Sequence, residues 1–281
     1  MSFINKFITV ILVPIFMCPF LPCIHIAKLS NLEKELISVT ENGVSTAEDP
    51  VYFTAHRGVK AKAPENTIPA YEEAVKNGYY SAECDIQLTK DNVWVLNHND
   101  DVDKMFAQTG DVRDFTFEEL REFTYDTGVN FWKYDNLKIA TLDEFLDVFV
   151  GTECRPQIEI KADNYDLLYT IVAAVKAKGL LEQAIIISFD YNQLKAIHDI
   201  DPTIELWYLI DEITPDNIAA AKALGDNVWL SPNFEKNNQA SIQLAIDAGI
   251  GVSFWTVNTV EDAKMLYDMG VRYIETDILC N

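Results

Sequence analysis

Carboxylates spaced two residues apart are the first feature of this 281-residue chain that points to chemistry. Glu83 and Asp85 lie on either side of Cys84 in one apolar run, and Glu159 precedes Lys161 by two residues at the end of another. Because strand side chains alternate between two faces, Glu83 and Asp85 share one face of a predicted strand, and so do Glu159 and Lys161. Three acidic groups are therefore expected on the inner faces of neighbouring strands.

A divalent cation would relieve the repulsion between these three carboxylates. Oxygen-only ligation favours Mg²⁺ or Ca²⁺ over zinc. Taken alone, Glu83 and Asp85 are better explained as ordinary residues of a half-exposed strand. Beside Glu159, Lys161 and two histidines, a metal site becomes the better explanation.

Two of the four histidines stand at or just past the ends of predicted strands. These are His56 and His98, whereas His25 lies in the N-terminal apolar segment and His198 in a helical stretch. One histidine at such a place is often structural. Two of them beside a carboxylate cluster are typical of a general acid–base pair that works near neutral pH.

Two basic side chains complete the candidate set. Arg57, next to His56, can hold phosphate oxygens in a bidentate manner, and Lys161 adds a point charge. An acid, a base, a metal and phosphate ligands together describe the hydrolysis of a phosphoester.

Alternating strand and helix patterns must position these residues. The predicted strands are Val51–Ala55, Ser81–Leu88, Trp94–Asn97, Gln157–Ile160, Ala184–Phe189, Ile204–Leu209, Asn227–Pro232, Gly251–Thr256 and Tyr273–Thr276. The predicted helices are Ile68–Asn77, Leu142–Val150, Tyr165–Lys178, Tyr191–Ile200, Pro215–Leu224, Gln239–Ala248 and Val260–Met269. This alternation predicts an α/β fold, a TIM (β/α)8 barrel with its active site at the carboxyl ends of the strands. A doubly wound open sheet competes, but no glycine-rich phosphate loop follows the first strand.

From residue 52 to the C terminus, the chain resembles the glycerophosphodiester phosphodiesterase family. The resemblance rests on several motifs in order: His56-Arg57-Gly58, Ala63 to Thr67 (APENT), Ala82 to Asp91 (AECDIQLTKD), Val95 to His98 (VLNH), Thr109 to Val112 (TGDV), Phe117 to Leu120 (FEEL), Thr141 to Leu146 (TLDEFL), Ile158 to Lys161 (IEIK), Ser188 to Asp190 (SFD), Trp255 to Asn258 (WTVN) and Gly270 to Asp277 (GVRYIETD).

The resemblance implies a metal-dependent TIM-barrel enzyme that hydrolyses a glycerophosphodiester to glycerol phosphate and an alcohol. The positions that match family residues are Glu83, Asp85 and Glu159 as metal ligands, His56 and His98 as the acid–base pair, Arg57 and Lys161 as phosphate contacts, Glu65 and Asn66 as supporting residues, and Trp255 as a wall of the substrate pocket. Trp255 is equally well explained as a core residue. The cofactor is expected to be Mg²⁺ or Ca²⁺.

The chain departs from the family pattern just after the second histidine. The family has Asp there, whereas Asn99 follows His98 and is itself followed by Asp100. If the family's carboxylate orients or tunes the histidine, Asn99 would weaken that effect because it carries no charge. The stretch Lys104 to Thr109 also lacks the family's arginine, which affects the expected substrate preference more than the reaction.

The composition and the first 50 residues limit where the protein can be located and which partners it can bind. Lys+Arg total 22 and Asp+Glu total 44, a formal net charge of -22, which argues against a nucleic-acid partner. Residues 7–27 carry no Asp, Glu, Lys or Arg, so residues 1–28 are predicted to be a signal peptide or a membrane anchor. Residues 29–50 are predicted to be a linker and 51–281 the barrel. The protein is thus expected to be secreted or extracytoplasmic, with possible membrane association through residues 7–27.

Two other functions stay open from the sequence. A retained anchor would favour a lysophospholipase D that acts on lysolipids. A barrel that kept the motifs without catalysis would be a metal-binding protein, for which Asn99 is the only hint.

Overall fold

The computed structural model describes residues 32–281. The predicted signal peptide or anchor over residues 1–28 lies outside the described residues. Between residues 32 and 281, none of the helices has the length and apolar character needed to cross a bilayer.

Eleven strands are present in this part of the chain. They are β1 (Ile37–Ser38), β2 (Tyr52–Ala55), β3 (Ser81–Leu88), β4 (Trp94–Leu96), β5 (Arg155–Ile160), β6 (Ile185–Ser188), β7 (Glu205–Ile210), β8 (Val228–Pro232), β9 (Ser253–Phe254), β10 (Tyr273–Thr276) and β11 (Leu279–Cys280). Eight of them pair in parallel in the order β8-β7-β6-β5-β3-β2-β10-β9. Single parallel bridges, Leu230 to Val252 and Asn233 to Trp255, join β8 to β9 and nearly close the ring. The predicted TIM barrel is confirmed.

Helices connect the successive parallel strands of the barrel. They are α1 (Ile68–Lys76), α2 (Phe117–Arg121), α3 (Leu142–Phe149), α4 (Leu168–Ala177), α5 (Tyr191–Ile200), α6 (Pro215–Leu224), α7 (Gln239–Asp247) and α8 (Val260–Asp268). Several begin with reciprocal caps, such as Thr141 with Glu144 at α3, where each side chain bonds the other residue's backbone N–H. The seven helices predicted from the sequence are present, with ends that differ by three residues at most. The short α2 was not predicted because five residues carry too little periodicity.

The strand β3 separates the apolar core from the polar barrel interior. Every residue of β3 is buried. Cys84 and Ile86 pack in the main hydrophobic core, whereas Glu83 and Asp85 lie on the opposite face. Ser81 begins that polar face, where its hydroxyl lies 2.6 Å from the Thr54 hydroxyl of β2. This alternation carries acidic side chains into the barrel mouth while the strand remains fully buried.

The strand β4 differs from its expected place among the barrel strands. It pairs antiparallel with β3, Leu96 opposite Ile86, and is not one of the eight parallel strands. Its short length and the tight turn before it produce a hairpin instead of a helical crossover. The hairpin returns the chain to the mouth, where the Asn97 N–H bonds the Asp85 carbonyl at 3.1 Å. His98 therefore reaches the candidate site from a hairpin that folds back on β3.

The described part of the segment predicted as a linker, residues 29–50, is packed instead. β1 pairs in parallel with β11, and Val39 and Val44 are fully buried in the main core. Because polar residues surround these valines in the sequence, their place in the core could not be predicted from it. Residues 32–50 thus cover one part of the barrel wall.

Candidate active site

The loop after β2 places the first histidine and arginine. Arg57 and Gly58 both take the left-handed backbone conformation, with φ of 60° and 76°. A Cβ on Gly58 would lie 2.7 Å from the Cβ of Ala70, so only glycine fits there. The turn directs the Arg57 N–H to a Glu83 carboxylate oxygen at 2.8 Å. The histidine, the arginine and the first carboxylate are thus fixed by one short loop.

Glu83, Asp85 and Glu159 converge at the carboxyl ends of β3 and β5. One carboxylate oxygen from each lies within 4.8 Å of the other two. The strands pair in parallel with Asp85 opposite Glu159, which brings the two side chains side by side. Oε1 of Glu83 and Oδ1 of Asp85 are buried without a hydrogen-bond partner. These carboxylate oxygens without hydrogen-bond partners fit a hard divalent cation, because such ions take carboxylate oxygens as ligands.

The charge states of these carboxylates reflect their burial. Burial raises the pKa of Glu83 well above its usual range, and the neighbouring Asp85 adds to the rise. Burial, reinforced by Asp85, also raises the pKa of Glu159 to about 7. At Asp85 burial is outweighed by Arg57, which holds its pKa below the usual value. A bound cation would favour the charged forms of all three groups.

Arg57 and Lys161 supply positive charge next to this cluster. Arg57 donates to Glu65 at 3.1 Å, and its Nε lies 3.4 Å from Asp85. Lys161 donates to Glu159 at 2.9 Å and lies 3.8 Å from Asp85. Both cations therefore stand beside the predicted metal ligands, where a phosphate bound to the metal would meet them.

Asn66 holds Asp85 in place through two hydrogen bonds. Its Nδ2 donates to the Asp85 carboxylate at 2.8 Å, and its Oδ1 accepts from the Asp85 N–H at 3.0 Å. The buried Tyr71 hydroxyl also donates to that Oδ1, at 2.9 Å. Glu65 instead bridges two cations, Arg57 and Lys104.

The profile of the glycerophosphoryl diester phosphodiesterase family matches residues 56–279. The chain belongs to this family. The family and the enzyme class predicted from the sequence, a phosphoric diester hydrolase, are confirmed.

Similar proteins agree with this assignment. The chain is 30% identical over 231 residues to a glycerophosphodiester phosphodiesterase of Caldanaerobacter subterraneus, with 79% of this chain and 92% of that protein covered. It is 27% identical to the Bacillus subtilis glycerophosphodiester phosphodiesterase, covering 86% and 88%. An Oleispira antarctica phosphodiesterase, solved with its product sn-glycerol-3-phosphate, has the same fold at a TM-score of 0.71, with 23% identity and 86% and 96% of the two chains covered.

The departure from the family pattern at Asn99 has a local explanation. Its Oδ1 lies 2.8 Å from Nδ1 of His98, so the amide oxygen accepts a hydrogen bond from that ring nitrogen. Asn99 therefore orients the ring without contributing a charge, and Nε2 is left unprotonated when the ring is neutral. Asp100 does not take its place, since it accepts from Gln87 at 3.2 Å. Burial, only partly offset by the charge of Asp85, lowers the pKa of His98.

Trp255 follows β9 and is half-buried at the mouth. Its indole Nε1 donates to the Ser231 carbonyl at 2.8 Å, and its ring contacts Phe189 edge-on with centroids 5.7 Å apart. The side chain also packs against the apolar residues inside the barrel. The sequence left two explanations open for Trp255, a pocket wall and a core residue. Its half-buried position at the mouth agrees with the first, and its packing inside the barrel agrees with the second.

Sequence reasoning missed three residues around His56 in this family site. Asp277 accepts from Nδ1 of His56 at 2.7 Å, and Lys60 lies 2.6 Å from the same carboxylate oxygen. Glu275 is buried, with Oε1 3.8 Å from Nε2 of His56. Burial raises the pKa of Glu275 to about 8, and nearby Glu159 adds to the rise. The signal was present: the motif Glu275-Thr276-Asp277 repeats the acidic spacing of residues 83–85 at the end of another strand.

Proposed function

We propose that this protein hydrolyses glycerophosphodiesters to glycerol phosphate and a free alcohol with a divalent cation and two histidines. The observation that carries the proposal is the convergence of Glu83, Asp85 and Glu159, with two buried carboxylate oxygens that have no hydrogen-bond partner. Bound there, Mg²⁺ or Ca²⁺ would polarise a phosphoryl oxygen and offset the negative charge that develops on it. The roles below follow the family motifs and the geometry around them.

Arg57 and Lys161 are proposed to hold the remaining phosphate oxygens. Their charges lie beside Asp85 and Glu159, so a diester bound at the carboxylates meets both cations at once. Arg57 can contribute two parallel N–H donors and Lys161 a point charge. This orients the phosphorus for attack by water, or by the neighbouring glycerol hydroxyl to give a cyclic phosphate that water then opens to glycerol phosphate.

His56 is proposed as the general base. Burial, despite the hydrogen bond to Asp277, lowers its pKa to about 4, so the ring is neutral at neutral pH. Asp277 accepts the Nδ1 proton, which leaves Nε2 free to take a proton from the attacking hydroxyl. As the new P–O bond forms, the bond from phosphorus to the alcohol oxygen breaks.

His98 is proposed as the general acid that gives its proton to the departing alcohol oxygen. A bound diester carries a negative charge, and a nearby negative charge raises the pKa of a histidine. Substrate binding would therefore favour the protonated form of His98. We assign the base to His56 because its ring is more deeply buried than that of His98 and has a carboxylate partner, Asp277.

Replacing His56 or Glu83 by Ala tests the proposal. Release of glycerol phosphate from glycerophosphocholine should fall by at least about 100-fold in each variant, the contribution typical of general acid–base groups. Wild-type rates in either variant would refute the assignment of these residues.

The location is a separate proposal that rests on residues 1–28 alone. Residues 7–27 are proposed to direct export, and to tie the enzyme to the membrane if they are retained. N-terminal sequencing of the exported protein distinguishes a cleaved signal peptide from an anchor. A protein found only in the cytoplasm would contradict both.

A further inference from the structure

A cavity of about 480 Å³ opens beside Lys161, where the chain leaves β5. Its walls come from the end of β3 and the turn to β4, the loop after His98, and the loop after β5. A cavity of this size holds a small ligand or a large substituent of one. We call it the basic cavity, and the residues of its wall that carry the argument are Gln87, Lys90, Asp100, Arg113, Lys161 and Asp163.

The basic cavity lies on the His98 side of the proposed phosphate position. Asp100, two residues after His98, forms part of its wall, whereas His56 does not line it. Gln87, also in the wall, donates from Nε2 to the Asn99 carbonyl and to the Asp100 carboxylate, both at 3.2 Å. These bonds fix the loop after His98 against the end of β3. Because His98 is the proposed acid for the departing alcohol, that alcohol is directed towards this cavity.

Lys90 brings to the cavity a positive charge that the protein does not neutralise. Within residues 32–281, no Asp or Glu carboxylate lies at ion-pair distance from its ammonium. The adjacent Asp91 instead accepts from the Thr89 hydroxyl at 2.7 Å and from the Phe117 N–H at 2.9 Å. The Lys90 N–H bonds the Phe115 carbonyl at 2.9 Å, which anchors the turn between β3 and β4. The charge of Lys90 is thus available to a ligand.

Arg113 supplies a second cation with unused donors. In the part of the chain that the structure describes, its guanidinium makes one hydrogen bond, to Asp111 at 3.2 Å, although it can offer five N–H donors. Two carboxylates of the wall, Asp100 and Asp163, oppose the cations. The wall therefore carries three positive and two negative side chains, a local excess of positive charge in a chain whose formal net charge is -22.

We infer that the basic cavity binds an anionic group, such as a phosphate, on the leaving alcohol of the diester. The inference rests on the proposed hydrolysis and names a substrate class for it. Arg113 can hold two oxygens of such a group, and Lys90 adds a point charge. Lys161 lies between the cavity and the metal ligands, so its charge acts on both anionic groups of the substrate. An alkylammonium in the same place would be repelled by these cations.

The first test compares substrates that differ only in the charge of the leaving alcohol. Glycerophosphoglycerol has an uncharged alcohol, and the same diester with a phosphate on its terminal hydroxyl has an anionic one. At low salt, kcat/KM of the wild-type enzyme should be about tenfold higher for the phosphorylated diester, and added salt should reduce this preference. Equal kcat/KM for the two diesters, or a higher value for glycerophosphocholine than for the phosphorylated diester, would overturn the inference.

The second test removes the two cations one at a time. K90Q and R113Q should each lower kcat/KM for the phosphorylated diester about three- to tenfold and change that for glycerophosphoglycerol less than about twofold. K90R keeps the charge and should keep the wild-type preference. The control is K195Q, which removes an exposed lysine of α5 outside the cavity wall and should change neither substrate. Equal losses on both substrates in K90Q and R113Q would mean that these side chains only shape the mouth, and would overturn the inference.

Inhibition by inorganic phosphate distinguishes an anion on the substrate from a free anion. If K90Q and R113Q weaken this inhibition but leave the preference between the two diesters unchanged, the cavity binds a free anion and the assignment to the leaving alcohol is wrong. Hydrolysis of no diester would instead refute the proposed function, whereas hydrolysis of both diesters at equal rates would refute the role of the basic cavity alone.

Discussion

Asp277 is the residue on which the orientation of His56 depends. One of its oxygens meets both Nδ1 of His56 and the ammonium of Lys60, and the other accepts from Nδ2 of Asn258 at 3.0 Å. The Asp277 N–H in turn bonds Oδ1 of Asn258 at 2.8 Å. This anchoring makes Asp277 a positioning residue, because it acts on substrate only through the histidine.

Replacing Asp277 by Asn should lower kcat about 10- to 100-fold, within the range of a general base that is misaligned, with KM changed little. The Asp277 carboxylate raises the pKa of His56, so its loss lowers that pKa and should move the acid limb of the pH–rate profile to lower pH. The measurement is steady-state kinetics from pH 3 to 9, which covers a limb near pH 4 and a displacement below it, with thermal unfolding as a control for folding. A variant that loses stability and kcat together, with an unmoved pH profile, would show a purely structural role.

The sequence predicted single residues well where a strand carried the pattern. Glu83, Asp85 and Glu159 could be placed together because strand periodicity and barrel topology are enough to bring them to one rim. Asp277 and Glu275 were missed, since their contacts with His56 depend on the closure of the ring between β10 and β2. That contact joins residues more than 200 positions apart. The local spacing of Glu275 and Asp277 indicates two more acidic side chains at a strand end, but not that they contact His56.

At the scale of elements, the turn after β2 is the least replaceable part of the site. Gly58 combines a left-handed backbone with a close approach to Ala70 on α1. Gly179, after α4, has a similar φ of 73° but open space around the missing Cβ. Comparing alanine substitutions at the two glycines therefore distinguishes the free-energy cost of backbone strain from that of a steric clash.

Gly58→Ala should lower the free energy of unfolding by about 2–4 kcal/mol, because it adds a clash to the left-handed backbone. Gly179→Ala should cost about 1 kcal/mol from the backbone alone. Urea unfolding of both variants measures the difference. Equal losses would show that α1 moves aside at no cost, contrary to the tight packing described for this turn.

The elements that sequence patterns placed wrongly share a physical cause. A short apolar run such as β4 has the same local pattern whether it joins a barrel or folds back as a hairpin, and only its partner decides. The predicted linker failed similarly, since Val39 and Val44 become core residues only through the pairing of β1 with β11. Long strands and helices, whose periodicity repeats over several turns, were predicted to within a few residues.

For the whole molecule, the net charge of -22 makes a local balance of charge necessary. A phosphodiester that approaches this acidic protein is repelled unless positively charged groups lie at the mouth of the barrel. Arg57, Lys60, Lys104 and Lys161 supply part of that charge among the described residues. Each of them is paired with a carboxylate that offsets part of its charge, so the proposed mechanism also needs a divalent cation at the three carboxylates.

The proposed mechanism depends most directly on that divalent cation. Enzyme stripped with a chelator should release glycerol phosphate from glycerophosphocholine at background rate and recover on addition of Mg²⁺ or Ca²⁺. Glu159→Gln should raise the metal concentration that gives the half-maximal rate at least about tenfold. The control Glu118→Gln, an exposed substitution on α2, should behave as wild type. Full activity of the stripped enzyme, with no response to either metal, would contradict the central claim.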